Sequence, residues 1–185
     1  AYNMVYTATL DIRGSARPML EDLYRLTNET VSLYILAGDK RVCADCIESS
    51  ERLRVVVHIG EHMPLHAGSS GKALLAFMPG EDVEQVLSKP LEKMTPRTVT
   101  SRESLLAELT AIRAKGYATS HGERFEDVIG VAAPVFDSTG MVVAAINVAG
   151  PSGRFTDQVV AKHLPRLMEM AKQISRLLGY DESRK

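Results

Sequence analysis

The chain has 185 residues, of which 45% are hydrophobic and 24% charged, and this is the size and composition of one globular domain or at most two small ones. Its 22 basic and 23 acidic residues give a formal net charge of −1, so no overall positive field favours binding of the chain itself to nucleic acid. No run approaches the ~18 apolar residues of a membrane span and no signal-peptide pattern opens the chain, so we expect a cytoplasmic protein without a membrane partner.

The first elements along the chain are helical. Residues Ala1–Leu10 are apolar and rich in tyrosine, and they resemble the end of a longer helix. After Pro18, leucines recur at helical spacing as far as Thr27, and Asn28 can end a helix in the left-handed conformation. These residues predict a first amphipathic helix.

An antiparallel meander is predicted next. Residues 30–35 alternate polar and apolar side chains, a period of two that indicates a half-buried strand. The turn at Gly38-Asp39 leads into a returning strand over residues 41–48. Residues 53–57 predict a third strand, which Gly60 and Pro64 close.

Three helices are predicted in the middle of the chain. Residues 72–78 are good helix formers and follow Ser69 and Ser70, which can cap them. Pro79-Gly80 ends this helix. A short helix with Val83, Val86 and Leu87 on one face follows, and another begins after Ser101, buries Leu105, Leu109 and Ile112, and stops at Gly116.

The last third of the chain predicts two apolar strands and a long helix. Residues 128–136 and 141–149 are separated by a turn that ends at Gly140. The second strand carries Asn147 as its one polar residue, so we expect a central strand covered on both faces. Residues 156–178 predict a helix. Together the elements indicate an α+β domain with an antiparallel sheet, covered by helices that include the N- and C-terminal pair.

Three closely spaced histidines are candidate metal ligands. His58, His62 and His66 have helical spacing, but Gly60 and Pro64 interrupt any helix there, so we expect no metal site.

Cys43 and Cys46 form a CxxC sequence inside a predicted strand, where their odd offset points them to opposite faces. A redox pair usually lies at a helix N-terminus, so we interpret both as small core residues.

The sequence Ser69-Ser70-Gly71-Lys72 is an S-x-x-K motif, in which a lysine can activate a serine for acyl transfer. The companion motifs of such enzymes are absent, and a phosphate loop is excluded because Ala73 stands where Ser or Thr would bind magnesium. Two interpretations remain open. Free backbone N–H groups at this helix start can bind a small anion, or the serines simply cap the helix.

Six short motifs follow one another along nearly the whole chain: Pro64-Leu65-His66-Ala67, Gly71-Lys72-Ala73-Leu74-Leu75-Ala76, Gly116-Tyr117-Ala118, Glu123, Val131-Ala132-Ala133-Pro134-Val135 and Gly150-Pro151. Each is loose by itself. In this order and at these distances they resemble the C-terminal effector-binding domain of the IclR family of bacterial transcriptional regulators.

The resemblance implies a GAF-like (profilin-like) fold that binds a small-molecule effector, requires no cofactor and is not an enzyme. It also implies a winged helix-turn-helix upstream, through which alone the protein binds DNA and which we expect to lie outside this chain. Residues 1–10 would then be the end of an inter-domain linker helix, and residues 11–185 the effector-binding domain. Homodimers, or dimers of dimers, are the assemblies that the family implies.

The resemblance also supplies candidate ligand-binding residues, which are Ser69, Ser70, Gly71, Ser120, Gly130, Val131, Asn147 and Ala149. Family members that bind small acids often have Gly-Ala at 69–70, an acid at 120, Cys at 130, and Ser at 147 and 149. The exchanges in this chain predict a pocket that is roomier at Gly130 and less acidic at Ser120.

We expect a small organic acid to bind in this pocket, with its carboxylate on Ser69 to Gly71 and its other polar end near Asn147. Glu123 is expected to bind backbone groups more than ligand.

Two alternatives remain. One is a GAF-like enzyme that uses Cys43 or Cys46 as a nucleophile, for instance a small-molecule sulfoxide reductase. The other is a free-standing sensory module without a DNA-binding partner domain.

Overall fold

A computed structural model describes residues 2–184, and within that range the side chains of residues 12–183. The described residues end in a short 3₁₀ turn, Glu182–Arg184. The helices are α1 (Tyr2–Thr27), α2 (Ser69–Leu75), α3 (Gly80–Leu87), α4 (Arg102–Lys115) and α5 (Asp157–Leu177). The strands are β1 (Thr30–Ala37), β2 (Lys40–Ile47), β3 (His62–Pro64), β4 (Ala118–His121), β5 (Val128–Phe136) and β6 (Val142–Pro151).

The six strands form one antiparallel sheet in the order β3-β2-β1-β6-β5-β4. Strand β6 lies in the middle and is buried from Ala144 to Gly150, which confirms the prediction of a strand covered on both faces. Helices α1 and α5 pack together over one face, and α2, α3 and α4 cover the other. The α+β class, the antiparallel sheet and the pairing of the terminal helices are therefore confirmed.

Helix α1 is continuous through Pro18, where the sequence predicted a new start. Ala16, Leu20 and Leu23 are fully buried against the sheet and α5, and this burial outweighs the backbone hydrogen bond that proline removes. The residues interpreted as the end of a longer helix belong to α1 from Tyr2 onward, and Ala1 lies outside the described residues. Asn28 ends the helix with a φ of 51°, as predicted.

The third strand was predicted at the wrong place. Residues 54–58 have no regular secondary structure and pair with no strand among the described residues, and β3 is formed by His62–Pro64 instead. The carbonyl of Val55 accepts a 2.6 Å hydrogen bond from the Thr30 hydroxyl. The alternation that suggested a strand is real, because Val55 and Val57 are buried while Val56 is 46% exposed. It reflects an irregular segment in which Val55 and Val57 pack into the core cluster while Val56 faces outward.

Strand β1 is also more buried than predicted. Thr30 to Tyr34 are buried without alternation, because β1 pairs with β2 on one edge and β6 on the other and has helices on both faces. Strand β4 was not predicted. It is only four residues long and begins after Gly116, whose φ of 80° ends α4.

Candidate functional site: a pocket under helix α2

A small cavity lies between the sheet and the first turn of α2. Strand pairing places Thr30, Ala149, Gly130 and Ser120 side by side in one row across β1, β6, β5 and β4. Small side chains in this row leave a hollow of about 50 Å³. Its lining consists of Tyr34, Arg41, Val55, Val57, Gly68, Ser69, Ser70, Ser120, Arg124, Phe125, Val128, Gly130, Asn147 and Ala149.

Six of the eight candidate residues from the sequence border this cavity, namely Ser69, Ser70, Ser120, Gly130, Asn147 and Ala149. The other two do not. Side chains alternate along β5, so Val131 faces away from the cavity and packs in the cluster that includes α1 and α5. Gly71 is packed against the Leu65 carbonyl and the guanidinium of Arg41. Val131 and Gly71 therefore do not border this cavity.

Gly130 does not enlarge the cavity as predicted, because the side chain of Ser69 occupies the space above it. A Cβ atom at Gly130 would lie 2.6 Å from the Ser69 Oγ and 3.7 Å from the Asn147 Oδ1. The Ser69 hydroxyl donates a 2.7 Å hydrogen bond to that Oδ1. Glycine at 130 thus permits contact between the first turn of α2 and the central strand.

The serine side chains do not cap α2, so of the two interpretations of this segment the one that makes Ser69 or Ser70 a cap is wrong. Gly68 precedes the helix with a φ of 88°, a conformation that glycine favours, and it provides no side chain to cap the helix. Its N–H donates a 2.9 Å hydrogen bond to the Glu123 Oε2. Glu123 therefore binds a backbone group at the helix start, as expected.

A buried ion pair fixes the loop before α2. The Lys72 ammonium binds the Glu123 Oε1 and lies 2.8 Å from the Glu108 Oε2. Thr98 donates a 2.7 Å hydrogen bond to the Glu123 carbonyl. Lys72 is thus engaged by two carboxylates, and in this arrangement it does not activate Ser69.

Several hydrogen-bond donors that border the cavity have no partner among the described residues. The hydroxyls of Ser70 and Ser120 make no hydrogen bond to another described residue, and the same holds for the side-chain N–H groups of Asn147. Ser70, Ser120 and Asn147 are all buried. The donor atoms themselves are not fully enclosed, because within the described residues the Nε of Arg41 is the buried side-chain nitrogen or oxygen without a partner. They can therefore donate into the cavity, and they favour a ligand rich in acceptor oxygens.

Arg41 borders the cavity and was not among the candidate residues from the sequence. Its side chain borders the cavity although the residue is only 1% exposed. One terminal nitrogen donates to the Pro64 carbonyl, the other lies 4.0 Å from the Met63 sulfur, and the guanidinium carbon is 5.5 Å from the centre of the Tyr34 ring. Its Nε is buried without a hydrogen-bond partner. One feature of the sequence could have predicted its burial: Arg41 lies two residues before Cys43, so both side chains point to the same face of β2.

Burial lowers the pKa of Arg41 to about 10, so the guanidinium stays charged at neutral pH. Burial likewise raises the pKa of Tyr34 to about 12, which keeps the phenol neutral. The positive charge beside the cavity is therefore not balanced by its ring neighbour.

The two cysteines lie on the same face of the sheet, contrary to the prediction. Leu33 pairs with Asp45 and Tyr34 with Cys43, so one residue of β2 has no partner and the strand bulges. Both thiols consequently contact the same core cluster. The interaction between the two neighbouring thiols lowers the pKa of Cys46 to about 7 and, together with burial, raises that of Cys43. Neither cysteine borders the cavity.

The three histidines are separated by the fold. His58 is exposed in the segment after β2, His62 lies on β3, and the His66 Nε2 is 2.9 Å from the Glu92 carbonyl oxygen. Within the described residues, no three side chains of metal-binding type lie together. None of the described helices is long and apolar enough to cross a membrane.

Comparison with known proteins identifies the family. The family model for the C-terminal domain of the bacterial transcriptional regulator IclR matches residues 4–176. The chain belongs to the IclR family. The HTH-type transcriptional regulator KdgR of Escherichia coli (strain K12) is 34% identical over 174 residues, which cover 94% of this chain and 66% of that protein. The IclR domain thus spans slightly less than two thirds of the length of this relative.

Solved structures support the same family. The IclR protein of Thermotoga maritima has a TM-score of 0.88 and 32% identity, and the match covers 97% of this chain and 75% of that one. An IclR homologue from Microbacterium hydrocarbonoxydans, crystallised in complex with 4-hydroxybenzoate, has a TM-score of 0.83 and 29% identity over 92% of this chain and 69% of that one. The chain is an IclR C-terminal, effector-binding domain, and its relatives are transcriptional regulators.

Proposed function

We propose that the cavity under α2 binds a small organic acid, and that binding changes the DNA affinity of the full-length regulator. The observation that carries this proposal is the set of unpartnered donors on Ser70, Ser120 and Asn147, which face one hollow. A carboxylate or oxo group supplies the acceptors that these donors lack. The 4-hydroxybenzoate complex of the Microbacterium relative supports an acid as the ligand.

The effect on DNA must arise from differential binding, because a ligand shifts a conformational equilibrium only as far as it prefers one arrangement. Strand β2 contacts both the cavity and helix α1 and could transmit a change between them. Arg41 borders the cavity from β2, and Asp45 of the same strand lies 3.0 Å from Arg17 of α1. We propose that residues 1–10 of α1 continue as a linker to a helix-turn-helix, and that residues 11–185 form the sensing domain.

The remaining proposals concern the whole protein. We propose that it binds DNA through a domain outside this chain, works in the cytoplasm as a homodimer or dimer of dimers, and has no catalytic activity. The buried position of Cys43 and the absence of both cysteines from the cavity lining count against the sulfoxide reductase alternative. The size of the KdgR relative favours a protein with further residues over a free-standing module.

A melting screen over organic acids tests the proposal. A ligand at 100 times its dissociation constant stabilises the folded domain by about 2.7 kcal/mol, which is a rise of roughly 5–10 °C in Tm for a chain of this size. Ser70→Ala combined with Asn147→Ala should abolish the rise, whereas Ser88→Ala on the exposed end of α3 should leave it intact. An unchanged rise in the double variant would contradict binding at this cavity.

A further inference from the structure

Arg41 carries a buried positive charge that no carboxylate among the described residues neutralises. The nearby acids are already engaged, since Glu123 binds Lys72 and the Gly68 N–H, and Glu61 lies 3.3 Å from Arg124. A guanidinium has five N–H groups, yet the acceptors found for Arg41 are one carbonyl oxygen and one thioether sulfur. A buried cation in this state is unfavourable unless an anion joins it.

Two glycines at the start of α2 leave the space that the Arg41 guanidinium occupies. A Cβ atom at Gly71 would overlap the Nη1 of Arg41, and one at Gly68 would lie 3.2 Å from its Nη2. The two glycines therefore let Arg41 approach the backbone at the start of α2, where Ser69 and Ser70 also border the cavity. The guanidinium of Arg41 and the hydroxyl-bearing side chains of Ser69 and Ser70 therefore border the same cavity.

We propose that Arg41 forms the ion pair with the carboxylate of the effector, and that the effector is a compact monocarboxylate with a hydroxyl or oxo group at its other end. This inference rests on the proposed function. One unbalanced positive charge calls for one negative charge. The unpartnered donors of Ser120 and Asn147 then bind the second polar group of the ligand.

The size of the cavity limits the ligand. A single water needs about 10–15 Å³ of such volume, so about 50 Å³ holds the equivalent of roughly three to five waters. Molecules with four to six non-hydrogen atoms match this space. Arg124 also borders the cavity, but its charge already has a carboxylate partner in Glu61, whereas the charge of Arg41 has none among the described residues.

Calorimetry with matched probes tests the inference. Glycolate, lactate and pyruvate are titrated into the domain, and each is compared with its neutral amide. We expect at least one acid to bind 10- to 100-fold more tightly than its amide, the usual range for a hydrogen-bonded charge. Arg41→Met should remove this preference, and Arg41→Lys should retain part of it. Arg102→Met, at an exposed ion pair with Glu84, is the matched control and should bind like the wild type.

The melting temperature of the empty domain provides a second measurement. Arg41→Met keeps most of the side-chain volume and removes the unbalanced charge, so it should raise Tm, whereas loss of a purely structural arginine should lower it. Should Arg41→Met fail to fold, the Arg41→Lys titration decides: a reduced preference for acid over amide supports the ion pair, and a preference equal to that of the wild type overturns the inference.

The outcomes separate the inference from the proposed function. If an acid binds but Arg41→Met keeps the same preference for acid over amide, Arg41 is not the ion-pairing group, although the cavity still binds acids. If only larger acids bind, the compact ligand is excluded while the function remains. If no acid of any size raises Tm, both are overturned.

Discussion

The buried ion pair between Lys72 and Glu123 holds the loop before α2, and its contribution to the free energy of unfolding can be measured by mutation. Lys72→Met removes the ammonium and keeps the length of the side chain. The Glu123 carboxylate is 8% exposed, so it would remain buried with the Gly68 N–H as its hydrogen-bond donor. Breaking one partner of a buried pair costs about 3–5 kcal/mol. At roughly 2–4 °C per kcal/mol, we expect Tm to fall by about 6–20 °C.

Urea unfolding followed by circular dichroism measures the effect. The double variant Lys72→Met/Glu123→Gln removes both charges of the pair, and glutamine can still accept from the Gly68 N–H. It should therefore be more stable than Lys72→Met alone, with a coupling of at least about 2 kcal/mol. Lys89→Met, at the exposed pair with Asp39, is the matched control and should cost less than about 1 kcal/mol. A loss for Lys72→Met no larger than this control would refute the reasoning.

Three further predictions concern single groups. Gly71→Ala should destabilise the domain by about 2–4 kcal/mol in urea unfolding and weaken acid binding, because the new methyl would overlap the Arg41 guanidinium and lie 2.6 Å from the Leu65 carbonyl oxygen. Alkylation of Cys46 should rise through a midpoint near pH 7, and Cys43→Ala should move that midpoint upward by removing the interaction that lowers the Cys46 pKa; an unmoved midpoint would assign the lowered value to another cause. Ligand should slow hydrogen exchange in α1, and identical exchange with and without ligand would exclude transmission through that helix.

Local signals predicted the elements whose ends are marked by short-range chemistry. Ser101 accepts a hydrogen bond from the Ser104 N–H, Gly116 ends α4 with a φ of 80°, and Gly140 closes the last hairpin with a φ of 82°. Each of these depends on residues within four positions along the chain. The position of the third strand was predicted wrongly because strand pairing is not a local property. Whether residues 54–58 pair with a strand depends on partners distant in sequence, and alternation alone does not identify them.

The pocket was predicted in part, and the residues that were missed have a common cause. The family resemblance supplied Ser69, Ser120 and Asn147, which all border the cavity. Arg41 stands beside a hairpin turn, where a charged side chain usually faces solvent. Its burial results from the three-dimensional approach of Gly68 and Gly71, which no local pattern encodes. The bulge in β2 could likewise not be predicted from the sequence of β2, because it arises from the register of pairing with β1.

Strand β2 connects the two halves of the proposed mechanism. Arg41 faces the cavity, and beyond the bulge Asp45 lies 3.0 Å from Arg17 of α1 on the other face of the sheet. Without the extra residue, Asp45 would point to the same side as Arg41 and Cys43 and could not reach α1. The same bulge therefore explains why both thiols share one face and how β2 contacts both the pocket and α1. An effector that draws Arg41 toward its carboxylate would act on a strand that an ion pair joins to α1 near its other end, and we propose this strand as the route from the pocket to α1.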